Sequence, residues 1–190
     1  MLEQPLSLSS SAPASALARV DEARLRRIVD AHFDALWRFL RRLGIAEGDV
    51  DDAVQEVILV LARKLDNVDE GSERSFVLST AFRVASGMRR RIKRRREVDE
   101  TPLLALASPG LDPERHAEQQ RLTVLFARVL EQLSLELRAV FVLYELEDFT
   151  MAEIAHTLDL PPGTVASRLR RGREAFERLA AQALAGGGAP

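Results

Sequence analysis

Apolar residues along this chain recur at three- and four-residue steps, the spacing that lines one face of an α-helix. From about Val20 the series Leu25, Ile28, Val29, Leu36, Leu40 and Leu43 marks a first helix, and Gly44 supplies its stop. A second helix, with Asp49 as its cap, has the inner face Val50, Ala53, Val54, Val57, Ile58, Leu61 and Leu65. The polar stretch 66–75, with Gly71 near its centre, reads as a loop, and a third helix runs from about Phe76 into a block of arginines. Trp37 and Phe39, on the first helix, are packing residues, either core or partly exposed. No strand-like alternation and no internal repeat is found.

Composition shifts divide the helical stretches into two groups. Residues 1–18 are rich in Ser, Ala and Pro without period and read as a disordered tail. Residues 97–113 hold Pro102, the Pro109-Gly110 pair, Pro113 and several acids, which reads as a flexible linker in which Leu103, Leu104 and Leu106 offer apolar contacts. Helical periodicity resumes near Glu114 and continues to about Leu184, with 185–190 as a frayed tail. The expected fold is all-α: a three-helix bundle over 19–96 and a second small helical domain over 114–184, joined by the linker.

The 190 residues are 46% hydrophobic and 29% charged, ordinary globular material, and the length suits either one medium domain or two small ones of roughly 70 to 80 residues with modest cores. No cysteine is present, which excludes disulfides and thiolate metal sites and suits a reducing cytoplasm. His32, His116 and His156 are scattered without ligand spacing, so neither a metal nor a cofactor is expected. No apolar run reaches the roughly 20 residues that cross a bilayer, and no Lys or Arg precedes Arg19, so a basic secretory n-region is lacking.

A formal net charge of −2 argues against a nucleic-acid partner until its distribution is considered. Every residue of 89–96 except Ile92 is basic, and Arg168, Arg170, Arg171, Arg173 and Arg178 form a second set. Acids collect in 47–52, 66–73 and 97–118. Such segregation leaves local positive fields that the sum conceals.

The most specific segment is 149–169, FTMAEIAHTLDLPPGTVASRL. Thr150 and Glu153 make a capping box, in which each side chain satisfies a free backbone N–H at a helix start. Ile154, Ala155 and Leu158 form the inner face of a short helix, with small Ala155 where two helices cross closely. Leu160 and the Pro161-Pro162-Gly163 turn redirect the chain. Thr164 caps the next helix, whose inner face is Val165, Leu169, Gly172, Phe176 and Leu179. The turn position that often holds glycine is Asp159, a residue that tolerates left-handed backbone. This is a helix-turn-helix pattern, with the second helix set to enter a DNA major groove.

The outward face of that helix separates it from an ordinary helical hairpin. Ala166, Ser167, Arg170, Arg171, Glu174 and Arg178 point away from the apolar stripe. Arginine bonds guanine O6 and N7 in a bidentate way, and an alanine methyl packs on thymine. Arg168 and Arg173 lie on the flanks, where phosphates run.

Two segments together resemble a known family. Residues 49–61, DVDDAVQEVILVL, resemble the core-binding helix of region 2 in extracytoplasmic-function (ECF) sigma factors of the sigma-70 family. LSLELRAVFVLYELEDFTMAEIAHTLDLPPGTVASRLRRGREAF, from Leu133, is similar to their region 4. The likenesses stand in the right order with a linker between, and no region 3 domain separates them, which fits the minimal subgroup. The resemblance implies a bundle that docks on RNA polymerase core (β′ coiled coil, with the β flap as a further contact). It also implies a helix-turn-helix that reads the promoter −35 element, and an anti-sigma factor as a further partner.

Carried over residue by residue, the resemblance implies that Asp52, Gln55 and Glu56 bind core polymerase. The residues alone favour reading Asp51, Asp52 and Glu56 as a solvated face, since helices commonly carry such charge, and the resemblance reverses that. It implies that residues 66–83 capture unstacked −10 bases, with Phe76 and Arg83 at the family's usual tryptophan and asparagine positions. Phe76 serves as either a stacking platform or core. Gly87 stands where an aspartate is usual, and glycine inside a helix costs roughly 1 kcal/mol against alanine, so a bend or fraying is expected there. Arg89, Arg90, Arg91 and Lys93 are the cations placed to meet phosphates. Thr164, Ala166, Ser167, Arg168, Arg170, Arg171 and Arg173 are the corresponding −35 set.

No nucleophile, base and orienter set is legible, so no covalent chemistry is expected. Two other classes fit parts of the sequence. A dimeric helix-turn-helix regulator binds duplex operator without polymerase, and a helical adaptor binds proteins through its charged faces.

Overall fold

The computed structural model describes residues 12–96 and 113–186, with side chains over 22–91 and 121–185. Within them lie seven α-helices: α1 (Ala12–Arg42), α2 (Glu47–Arg63), α3 (Glu73–Arg96), α4 (Pro113–Gln132), α5 (Leu135–Glu145), α6 (Met151–Leu158) and α7 (Pro162–Gly186). One 3-10 turn, Leu65–Asn67, follows α2.

Helices α1, α2 and α3 pack mutually into a bundle. The stripes read from the sequence form its core: Leu36, Leu40, Leu43, Val50, Ala53, Val57 and Leu61 are buried, as are Leu78, Ala81 and Ala85 of α3. Phe39 is fully buried, and Trp37 is half-buried beside it. Gly44 ends α1 in left-handed backbone at φ +87, a conformation glycine adopts without strain. Arg24 ties the first helix to the turn after α2 by donating to the carbonyls of Leu65, at 3.0 Å, and Val68.

Helix starts differ from the sequence reading, because intrinsic propensity and backbone caps acted where no apolar stripe marked them. Residues 12–18, expected as part of a disordered tail, belong to α1, whose alternating alanines 12, 14, 16 and 18 favour helix without needing a buried face. Asp49 does not cap α2. The cap is Ala46, with extended backbone, and Asp49 sits in the first turn beside Glu47, where the helix dipole favours acids. Helix α3 starts at Glu73, whose carboxylate accepts from the N–H of Gly71 at 2.6 Å. It continues through Gly87 to Arg96, so fraying does not occur there. The linker expected over 97–113 lies outside the described residues except for Pro113, which opens α4. Residues 185 and 186 extend α7, and 187–190 lie outside the description.

Helix α7 packs on α4, α5 and α6. Phe176 of α7 stacks on Phe141 at 4.9 Å between centroids and meets Phe126 edge-on at 5.4 Å. Gly172 is buried against Leu137 and Phe141, so α7 and α5 approach closely.

The two helical groups are in contact. Helix α6 lies on α3, and one continuous apolar core runs through both groups. Arg138 of α5, 1% exposed, reaches across the boundary, and its Nη1 donates to the carbonyl of Leu43 at 2.9 Å. Burial, reinforced by nearby Arg89, pushes the Arg138 guanidinium down to about 10.

Candidate nucleic-acid interface

The helix-turn-helix forms as its local sequence dictates. Thr150 Oγ1 accepts from the N–H of Glu153 at 3.2 Å, and Glu153 Oε2 accepts from the N–H of Thr150 at 2.7 Å. The capping box is complete. Hydrogen bonds from the Thr150 hydroxyl and backbone hold the Glu153 carboxyl below the usual glutamate range. Asp159 ends α6 in left-handed backbone, φ 52 and ψ 54, and the next N–H, of Leu160, returns to the Ala155 carbonyl at 2.9 Å. Thr164 is not the cap of the following helix. Helix α7 opens at Pro162, where the missing proline N–H is tolerated, and Thr164 lies in its first turn.

Val165 and Leu169 anchor α7 in the core. The opposite face presents Ala166, Arg170 and Arg171 exposed, with Ser167 and Arg168 half-buried. Neighbouring groups hold these side chains in place. Arg171 Nε donates to the Ser167 carbonyl at 3.2 Å, and Arg170 pairs with Glu174 at 2.7 Å. Arg173 is drawn to one side: its Nε binds Glu145 at 2.6 Å, and its guanidinium lies 5.0 Å from the Tyr144 ring centroid. Met151, 45% exposed at the start of α6, lines one cleft with Ala166 and Arg170 and adds an apolar edge the sequence reading missed.

In the bundle, Phe76, Arg83 and Arg90 recur at seven-residue steps and so share one face of α3. Phe76 is half-buried against the core, whereas Arg83, Arg90 and Arg91 are exposed. Arg89 is half-buried and donates to the Leu43 carbonyl at 3.2 Å, so part of its bonding capacity serves the fold. The side chain of Lys93 lies outside the described residues.

On α2, Asp52, Gln55 and Glu56 are exposed on a single stripe. Leu59, one further step along it, is 56% exposed. An apolar side chain in an acidic, solvent-facing row is a second feature the periodicity did not reveal. The stripe and the α7 face belong to different helical groups. Among the described residues, no cluster of three or more His, Asp or Glu is placed to hold a metal ion, and no helix is long and apolar enough to cross a membrane.

Both groups match family models. Residues 28–97 match sigma-70 region 2, and residues 123–176 match sigma-70 region 4. The ECF RNA polymerase sigma factor SigL of Mycobacterium tuberculosis is 30% identical over 91% of this chain and 97% of its own length. ECF sigma factor SigE of Mycolicibacterium smegmatis is 29% identical over 77% of this chain, which spans 58% of that longer protein. Among solved structures, the sigma factor RpoE of Bartonella quintana, crystallised with the anti-sigma factor NepR, superposes with a TM-score of 0.67. The match is 19% identical and covers 81% of this chain and 94% of that one. With two regions in order, and a full-length relative of this similarity, the chain belongs to the sigma-70 family as an RNA polymerase sigma factor of the ECF type.

Proposed function

We propose that the two faces divide the work of promoter selection. The α2 stripe of Asp52, Gln55, Glu56 and Leu59 docks on basic and apolar side chains of RNA polymerase core, in the family at the β′ coiled coil, with the β flap as a second contact. The face of α3 that carries Phe76, Arg83, Arg90 and Arg91 holds melted −10 DNA by stacking and phosphate pairing. Helix α7 enters the −35 major groove, with Arg170 and Arg171 on base edges, Ala166 toward thymine methyls and Arg168 toward the backbone. The observation that carries this reading is the α7 face itself. Three exposed side chains suited to base edges stand on a helix whose inner side is locked into the core.

The protein performs no covalent chemistry. Binding to unpaired bases and phosphates favours the melted promoter, and nucleotide addition belongs to the polymerase. Its place is the cytoplasm, and an anti-sigma factor is a further partner, as NepR is for the Bartonella protein. Purified chain is expected to co-elute with core polymerase, and Asp52→Ala with Glu56→Ala is expected to lower that affinity by about 1 to 3 kcal/mol while leaving the fold intact. A tight operator complex formed by a free dimer, without any association with core, would instead identify an ordinary helix-turn-helix regulator.

A further inference from the structure

Along the outward face of α7, Ala166, Arg170, Glu174 and Arg178 follow at four-residue steps and form one row. Arg170 Nη1 donates to Glu174 Oε1 at 2.7 Å, and the Arg170 side chain makes no other hydrogen bond among the described residues. Other acids of this region serve the fold. Glu147, 2% exposed, joins the two helical groups through Arg42 at 2.7 Å and Arg74 at 3.1 Å. Glu145 ties α5 to α7 through Arg173 at 2.6 Å. The pair of Arg170 and Glu174 joins nothing: both ends stand on one helix, with 68% and 56% of their side chains in solvent. An exposed pair of this kind adds little to stability. The acid-first order, Glu174 with Arg178, would support the helix better, yet Glu174 turns to Arg170.

We infer that Glu174 is a specificity-determining positioning residue, which aims the Arg170 guanidinium at a guanine and keeps it off the DNA backbone. The inference rests on the reading in which α7 enters the −35 major groove, and deepens it.

The bond selects an edge. A guanidinium has two edges with paired N–H groups, Nε with Nη2 and Nη1 with Nη2, and either matches guanine O6 and N7. Glu174 occupies Nη1 of Arg170 and leaves the edge of Nε and Nη2 free. Arg171 is the opposite case: its Nε is taken by the Ser167 carbonyl at 3.2 Å, which leaves Nη1 and Nη2. The two neighbouring arginines thus present different edges, each held by the helix itself. A long exposed side chain ordered in advance loses less freedom when it meets its base.

The carboxylate also sets what Arg170 avoids. A recognition helix reaches bases from its first turns, and Glu174 lies about 6 Å further along the axis than Arg170. That is toward the groove edge, where phosphates run. A negative charge there is repelled by every sequence alike, so it lowers background binding, while its partner gains at one base pair.

The test uses holoenzyme, the full chain with core polymerase, on a source-genome promoter that it transcribes and on single-base-pair substitutions of the −35 element. Arg170→Ala identifies the base pair at which discrimination is lost. Glu174→Ala is expected to lower discrimination at that same pair by about fivefold or more. It is also expected to raise affinity for unrelated duplex by about threefold at low salt, and by less as salt screens the charge. In the Arg170→Ala background it is expected to remove no further discrimination, because Glu174 acts through Arg170. Glu174→Gln, which keeps an oxygen acceptor for Nη1, is expected to retain more discrimination than Glu174→Ala.

Unchanged discrimination in Glu174→Ala would overturn the inference. So would a loss at a different base pair, which would mean that Glu174 reads a base itself. An equal loss in the Gln and Ala variants would count against positioning through the hydrogen bond. If Arg170→Ala weakened binding equally on every sequence, base reading by Arg170 would fall and the inference with it, while promoter use by wild-type holoenzyme would stand.

Discussion

Arg138 donates from Nη1 to the Leu43 carbonyl across 2.9 Å, joining residues 95 positions apart at the meeting point of the two domains. The approach depends on the absence of a side chain at Gly44, where φ is +87. Gly44→Ala therefore meets two penalties, left-handed strain of about 1 to 2 kcal/mol and displacement of the Arg138 guanidinium. Urea unfolding is expected to show a lower midpoint at an unchanged slope. A midpoint equal to wild type would mean that the guanidinium does not lie so close.

Arg171 stands exposed on α7 with its Nε fixed by the Ser167 carbonyl. Arg171→Ala is expected to weaken −35 duplex binding by about 1 to 3 kcal/mol and to relax base preference at one position. Competition binding with single-base variants of the duplex measures both effects. Uniform weakening across all sequences would reassign Arg171 to a phosphate.

Arg90 and Arg91 are exposed near the end of α3, whereas Arg89 shares its bonding with the fold. Arg90→Ala with Arg91→Ala is expected to lower affinity for single-stranded −10 DNA regardless of sequence. The slope of log K against log salt is expected to become shallower by about 0.7 for each phosphate that no longer has a cation beside it. An unchanged slope would remove these residues from the DNA path.

The Glu153 carboxyl, held below the usual glutamate range by Thr150, ties the start of α6 to pH. A carboxylate lowered in the folded state stabilises above its ordinary pKa, and that contribution is lost as pH falls through the lowered value. Amide exchange at the start of α6 is expected to quicken on acidification through that window beyond the intrinsic trend. In Glu153→Gln the extra pH dependence is expected to disappear. Thr150→Ala is expected to cost about 0.5 to 2 kcal/mol through removal of the cap.

What the sequence carried was mostly local. The inner face of α2 was legible from Val50 to Leu61 because helical period and burial coincide there, whereas Leu65, read as part of the same face, is buried from the 3-10 turn that follows. The capping box and left-handed Asp159 were legible because turn chemistry is written in adjacent residues. Helix starts were less so, since Ala46 and Pro162 act through backbone geometry and left Asp49 and Thr164 inside first turns. The exposed apolar side chains of Met151, beside the α7 face, and of Leu59, on the α2 stripe, were hidden because periodicity assigns no direction to a lone exposed apolar residue. Arg138 and Glu147 were missed because their partners are distant in sequence. A signal existed in Arg138, a lone charge heading the run AVFVL, where burial requires a bonded partner.

Run-off transcription with purified core polymerase on promoter fragments from the source genome tests the central assignment most directly. With this chain added, at least one promoter is expected to yield a discrete transcript that core alone does not make, and Arg171→Ala is expected to diminish it. If no promoter were used more with the protein than without it, its assignment as a promoter-specificity subunit would be contradicted.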